Sequence, residues 1–336
     1  MAAFPMAALE IGGVGAEPVV EAHIGSPYRA SESGVVSQSR ALAEQAAGDG
    51  PTLAERRGLS DLIRPAAGSL TAPGPADDAA ARSKQPVPKG PPLLHIPTNP
   101  HLHLLFDLLA WGSAALLAHI LYRWRLRDLS ARVARHTGRG YVLALLAGAV
   151  LGAWAFGSWN TALTAVPHPS HSIAGALAGG IIAVELYKLV RGIRGSTGVI
   201  WVGPLALGIA VGRLGCLFAG LPDETYGIPT TLPWGVDLGD GIARHPVQLY
   251  ESLAMLAFLT VYLVALGRRA RWTEDRAFYL FILFYAAQRF CWEFLKPYPR
   301  LLGPLDVFQL LGLAMIIYAL VLDGYARRNR SSRPHA

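Results

Sequence analysis

Charge is scarce in this chain. Of its 336 residues, 16% are charged and 52% hydrophobic, whereas a soluble globular domain carries nearer a quarter charged residues. Only two cysteines occur, Cys216 and Cys291, too few for a disulfide framework or a structural zinc site. Aromatics are nearly missing from residues 1–97, which hold Phe4 and Tyr28 alone and are rich in Ala, Gly, Pro and Ser. Such a segment cannot bury enough apolar surface to offset the entropy of ordering, so it is expected to be a disordered tail. A start opened upstream of the true one would read the same way. Met1 to Gly12 has no basic residue and contains Glu10, unlike a secretory signal.

What is abundant is apolar sequence in long runs. Seven segments, at about 101–122, 141–159, 171–190, 199–219, 246–267, 277–295 and 304–322, each approach the roughly 20 residues that a hydrocarbon core requires. Backbone groups in lipid must be satisfied within the segment, so these are helices, and no alternating ten-residue runs of a β-barrel occur. The expected fold is an all-α integral membrane protein, a seven-transmembrane-helix bundle over 98–325, with the tail before it and a basic cytoplasmic tail at 326–336. Gly148 and Gly152, Gly175 and Gly179, and Gly208 and Gly212 share i, i+4 spacing, a pattern for close helix packing.

The net charge of +7 does not point to nucleic acid, because the arginines cluster in short loops between spans. Arg123, Arg125, Arg127, Arg132, Arg135 and Arg139 follow the first span, and Lys188, Arg191 and Arg194 the third. Arg268, Arg269, Arg271 and Arg276 follow the fifth, and Arg327, Arg328 and Arg330 the seventh. These are alternate loops on one side, and the positive-inside rule makes that side cytoplasmic, with the N-terminus outside.

Ionisable residues within the spans then gather toward the outer face: Asp107, His171, Arg213, His245, Glu251, Arg289, Glu293 and Asp306, with Glu185 the exception. Snorkelling explains one such arginine. It explains the set less well, because Tyr285, Arg289 and Glu293 recur every four residues, as do His245, Gln248 and Ser252 or Glu251. Polar groups in membrane helices face a cavity or the bundle interior, and two arginines suit a phosphate. An anion-binding cavity open to the outer leaflet is expected. A transporter would spread polar groups through the bilayer instead. The loop 220–244, carrying Tyr226 and Trp234, is either a connector or a lid over a substrate, and its length and aromatics favour a lid.

Specific strings join these residues. Gly212-Arg213-Leu214-Gly215 is followed by Glu224-Thr225-Tyr226-Gly227, Leu232-Pro233-Trp234-Gly235-Val236, Arg244-His245-Pro246-Val247-Gln248-Leu249-Tyr250-Glu251, and Tyr285 with Arg289 before Glu293-Phe294. In order and spacing the sequence from about 101 to 322 resembles the prolipoprotein diacylglyceryl transferase family. The resemblance implies transfer of diacylglycerol from phosphatidylglycerol to the lipobox cysteine of a preprolipoprotein, in the bacterial cytoplasmic (inner) membrane, with glycerol phosphate released. It also implies that Arg213 and Arg289 hold the lipid phosphate, that Tyr285 assists, and that His171 occupies the functional histidine position, where a base could deprotonate the thiol. Cys216, Glu224, Tyr226, Gly227, Arg244, His245, Gln248, Tyr250 and Glu251 are the expected substrate-binding residues. No metal or other cofactor is expected, since the leaving group is already activated in the lipid.

Three features depart from the family's pattern. Cys216 stands where Asn is usual, His171-Ser172-Ile173 replaces His-Gly-Gly with His168 close by as a rival, and Leu221 to Asp223 lengthen the turn before Glu224. Losing an amide removes a group that both donates and accepts. These changes mark a divergent branch, whose acceptor or activity could differ from the family's.

Overall fold

A computed structural model describes residues 94–164 and 167–331, and the expected tail lies outside them up to position 93. Its last residues are folded, contrary to expectation. Leu94–His95 (β1) pairs in parallel with Val236–Asp237 (β2), which pairs antiparallel with Ala243–Arg244 (β3). Asn99 N–H then donates to the Phe218 carbonyl at 2.8 Å. The physical reason is local: Ile96 is buried with Leu217, Val236 and Leu238 in a small apolar cluster that fixes the chain before the first span.

Helices account for nearly everything else. α1 (Leu102–Leu121) runs through a π-helical turn, Tyr122–Leu126, into α2 (Arg127–His136). There follow α3 (Arg139–Ala162), α4 (Ile173–Arg191), α5 (Val202–Ala219, entered by a 3-10 turn), α6 (Val247–Gly267), the short α7 (Trp272–Asp275), α8 (Ala277–Glu293) and α9 (Val307–Ser331). The boundaries fall within a few residues of the apolar runs in most cases; α9 continues to Ser331, so the start of the expected basic tail is helical.

Six helices among the described residues are long and apolar enough to cross a membrane. α8, at the expected sixth span, has 17 residues, or about 26 Å at 1.5 Å per residue. Large apolar side chains such as Leu116, Leu151, Leu189, Val190 and Val261 project from these helices into the surroundings. In water so much exposed apolar surface would drive association; facing lipid it is the stable arrangement. The molecule is a multi-pass helical membrane protein.

Packing follows the small residues in two of three cases. α3 lies along α4, and a Cβ on Gly152 would come within 2.3 Å of the Gly175 carbonyl oxygen, one on Gly148 within 2.4 Å of that of Gly179. The third pair differs: a Cβ on Gly212 would meet only Ala110 Cβ at 4.0 Å. α5 packs between α1 and α6, and α8 against α9. The main core lies among these helices, with Met255, Tyr262, Phe281 and Ile282 fully buried.

Candidate functional site

The start of α6, the ends of α5 and α8, and the segment after α8 meet at one end of the bundle. Their register places four of the expected polar residues in direct contact. Glu251 is 2% exposed and sits between three cations. Arg213 Nε bonds its Oε2, Arg289 Nη1 donates to both oxygens at 3.0 and 3.2 Å, and Lys296 Nζ donates to Oε1 at 2.7 Å. Glu293 completes the cluster through Arg289 Nε and through Lys296 at 3.3 Å. Three cations thus face two carboxylates, leaving one positive charge in excess.

This differs from a simple pair of arginines open to an anion. Both guanidiniums are already held by carboxylates and buried, Arg213 at 6% and Arg289 at 4% exposure. Pairing offsets the cost of burying the charges. It also fixes their orientation. Arg213 Nη2 and the hydroxyl of buried Tyr285 have no hydrogen-bond partner among the described residues, so donors remain for another acceptor. The i, i+4 stripe Tyr285–Arg289–Glu293 is buried throughout, as the spacing predicts. Lys296 was not anticipated. It lies past the last turn of α8, and its only sequence signal is i, i+3 spacing from Glu293.

Gln248 is fully buried with its amide nitrogen 3.4 Å from the Thr225 hydroxyl, and Ser252 donates to the Ala210 carbonyl at 2.8 Å, tying α6 to α5. Asp306, expected among the cavity's groups, caps α9 instead. It accepts from Gln309 N–H at 2.8 Å while Gln309 Oε1 accepts from Asp306 N–H at 3.0 Å, a reciprocal capping box.

A cavity of about 560 Å³ is lined by His168, Pro169, Ser170, His171, Pro222, Asp223 and Glu224. His171 is therefore brought together with Glu224, whose carboxylate is 3.2 Å from His168 Nε2. Neither Arg213 nor Arg289 lines this cavity. Glu224 takes a left-handed backbone, φ 56°, on leaving the 3-10 turn Leu221–Asp223.

The long loop is folded against the bundle end. Ile228 N–H donates to the Leu295 carbonyl at 2.7 Å, and His245 N–H to the Ile228 carbonyl at 3.1 Å. Gly227 permits that crossing, since a Cβ there would stand 2.3 Å from the His245 carbonyl oxygen. Arg244 is engaged by Asp240 at 2.6 and 2.8 Å and stacks over Tyr226, so it braces the hairpin. This hydrogen bond holds the Asp240 carboxyl below its usual range, and backbone N–H groups of Gly239 and Gly241 do the same for Asp237. Burial lowers the His245 imidazole. Its Nδ1 lies 3.5 Å from the Tyr250 hydroxyl, which accepts from exposed Trp234 at 2.8 Å.

Cys216 falls outside the carboxylate-bridged cluster but touches it, with Arg213 Nη1 3.5 Å from its sulfur. On its other side stands His103, 3.9 Å away, which neither the strings nor the stripes had singled out. Both cysteines are free thiols.

The model of the family "Prolipoprotein diacylglyceryl transferase" matches residues 105–324. A phosphatidylglycerol–prolipoprotein diacylglyceryl transferase from Geobacter sulfurreducens is 38% identical over 130 residues, 37% of this chain and 48% of the relative. Proteins of the same name from Clostridioides difficile and Wolinella succinogenes are 33% and 35% identical, over 48% and 47% of this chain and 63% and 59% of theirs. The chain thus spans roughly half to two thirds of the length of these relatives. No solved structure matches it significantly. With the model covering most of the helical bundle and the buried arginine cluster within it, the chain belongs to the prolipoprotein diacylglyceryl transferase family.

Proposed function

We propose that this protein is an enzyme that transfers the diacylglyceryl group of phosphatidylglycerol to the lipobox cysteine of preprolipoproteins, releasing glycerol phosphate. The observation that carries the reading is the convergence of buried Arg213 and Arg289 on Glu251, with an excess of positive charge and with Arg213 Nη2 and Tyr285 Oη unpartnered. Preorganised donors aimed at a departing phosphate stabilise the charge that develops on it as the carbon–oxygen bond breaks. The carboxylates hold the guanidiniums in place before lipid arrives, so little reorganisation is left for the reaction. His171 and Glu224, which line the cavity, shape the acceptor's approach, with His171 or His168 taking the thiol proton. Tyr226, Arg244, His245 and Tyr250 support the loop that closes this end. Its pinning to Leu295 favours a fixed cover over a swinging lid.

In this reading all seven helices cross the bacterial cytoplasmic membrane. The N-terminus and the site face outward, and the arginine-rich loops face the cytoplasm. Lipid in the outer leaflet and an emerging precursor would meet there.

The test is direct. Purified protein is mixed with phosphatidylglycerol labelled in its acyl chains and a lipobox peptide, and the peptide cysteine is examined for lipid. Label transfer is expected, lost in Arg213→Ala and Arg289→Ala. Undiminished transfer in both variants would remove the phosphate clamp. Lipid binding without transfer in the unaltered protein would mean a lipid-binding member of the family whose catalysis, or acceptor, has changed.

A further inference from the structure

Two of the three departures from the family's pattern meet in space. Cys216, in the last turn of α5, and Asp223, which ends the lengthened turn, both approach His103 in the first turn of α1. His103 Nε2 is 3.0 Å from Asp223 Oδ1 and 3.9 Å from Cys216 Sγ, and one ligand atom from each residue lies within 4.8 Å of the others. Ligands at 2.0–2.3 Å around a tetrahedral zinc ion stand about 3.3–3.7 Å apart. To meet that geometry the sulfur must draw in toward the other two atoms and the His103–Asp223 pair must open slightly.

Each ligand is also held from behind. Asp107 Oδ2 sits 3.1 Å from His103 Nδ1, the carboxylate–histidine arrangement that turns Nε2 toward a metal. The Thr225 hydroxyl donates to Asp223 Oδ2 at 2.5 Å. Arg213 Nη1 lies 3.5 Å from Cys216 Sγ. A thiolate and a carboxylate neutralise a dication, and a mixed S, N, O set suits zinc better than magnesium or calcium. The side chains are 37% exposed for His103 and 11% for Asp223, so a cation has a way in. Three protein ligands leave the fourth tetrahedral position open. Asp223 also lines the 560 Å³ cavity with His168, His171 and Glu224, which puts the site beside that space.

We propose that His103 Nε2, Cys216 Sγ and the Asp223 carboxylate form a site for zinc or a similar divalent cation, whose fourth position takes the acceptor's cysteine as a thiolate. The cation site stands on its own geometry, while the acceptor role rests on the transferase reading above. A thiol on zinc gives up its proton, here to His171 or His168 on the cavity that Asp223 shares. Its sulfur lone pair then forms the bond to the glyceryl carbon as that carbon's bond to the phosphate oxygen breaks, and glycerol phosphate leaves with the electron pair. The metal would supply the nucleophile and Arg213 with Arg289 would receive the leaving group.

The full chain in detergent, stripped with a chelator, is titrated with cobalt(II). One equivalent should raise thiolate-to-metal charge transfer in the near ultraviolet and tetrahedral bands in the visible, both removed by zinc. Cys216→Asn and His103→Gln should lose the bands while circular dichroism and melting stay unchanged, and Cys291→Ser should keep them. Asp107→Asn should weaken binding about 10- to 100-fold. Adding a lipobox peptide should increase the charge-transfer band, and the same peptide with Ser for Cys should not. No charge transfer in folded, unaltered protein would overturn the site and leave His103 as a hydrogen-bonded link between Asp107 and Asp223. Bands untouched by the peptide, or full transfer activity after metal removal, would overturn the acceptor role alone. Loaded protein that never transfers lipid would instead count against the transferase reading and leave the cation site standing.

Discussion

At the end of the bundle that carries the arginine-rich loops, Arg276 holds Asp323 through two bonds of 2.6 and 2.9 Å, with exposed Arg327 on the same carboxylate. Lys188 there reaches both oxygens of Glu185 at 2.9 Å, and the Tyr318 hydroxyl donates to Oε1 at 2.9 Å. At the opposite end, Arg213, Arg289 and Lys296 crowd around Glu251 and Glu293 with almost no exposure. The first end ties helix to helix with carboxylates whose basic partners lie toward its arginine-rich surface. The second buries a surplus of positive charge and leaves donors unpartnered, an arrangement that stability alone does not require. Bracing and binding thus use the same residue types in the same ratio, and what separates them is that every charge of the second set is buried and that donors there stay unpartnered.

The contrast can be broken by experiment. Glu251→Ala should do most harm, leaving three buried cations together and costing about 3–5 kcal/mol, read as a large fall in melting temperature in detergent. Asp323→Asn at the other end should cost only about 1–2 kcal/mol. An equal loss at both ends would mean that the Glu251 cluster is ordinary bracing. On activity, Arg289→Ala should slow lipid transfer about 10²–10³-fold, whereas Arg276→Gln should leave the rate within about twofold of normal, since its guanidinium pairs with Asp323 at the other end. Tyr285→Phe removes one donor and no charge, and a drop of about tenfold in rate with little change in melting is expected.

The smallest effect belongs to the hairpin pair Asp240–Arg244, which sits at the site end but resembles the bracing end. The folded Asp240 carboxyl titrates below its unfolded value, so its stabilisation is present above the unfolded pKa and fades as pH falls through the folded one. Melting of Arg244→Gln should therefore differ slightly from that of the unaltered protein at neutral pH and converge with it in strong acid. A difference growing toward acid would reverse the assignment.

Much of the fold was legible because lipid imposes a simple rule. A segment must be apolar and about 20 residues long to cross, and that length is visible without any partner. The glycine pairs of α3 and α4 were legible for a similar reason, since two backbones touch only where both lack side chains. Gly212 had the same spacing and no such contact, because spacing does not say which helix lies opposite. The stripe of α8 placed Tyr285, Arg289 and Glu293 on one face, yet nothing in it announced Lys296, which enters from beyond the helix end. His103 was hidden likewise: its partners Cys216 and Asp223 are more than a hundred positions away.

The sequence by itself determined the helical spans, the arginine-rich loops that alternate between them, and the end at which polar side chains collect. Each follows from local composition and periodicity. Only the tertiary structure decided which charges pair, that Glu251 stands among three cations, and that Cys216 faces His103 and Asp223. Those outcomes depend on helix rotation and neighbour choice, which pack side chains from distant positions to within a few ångströms and which no single segment encodes.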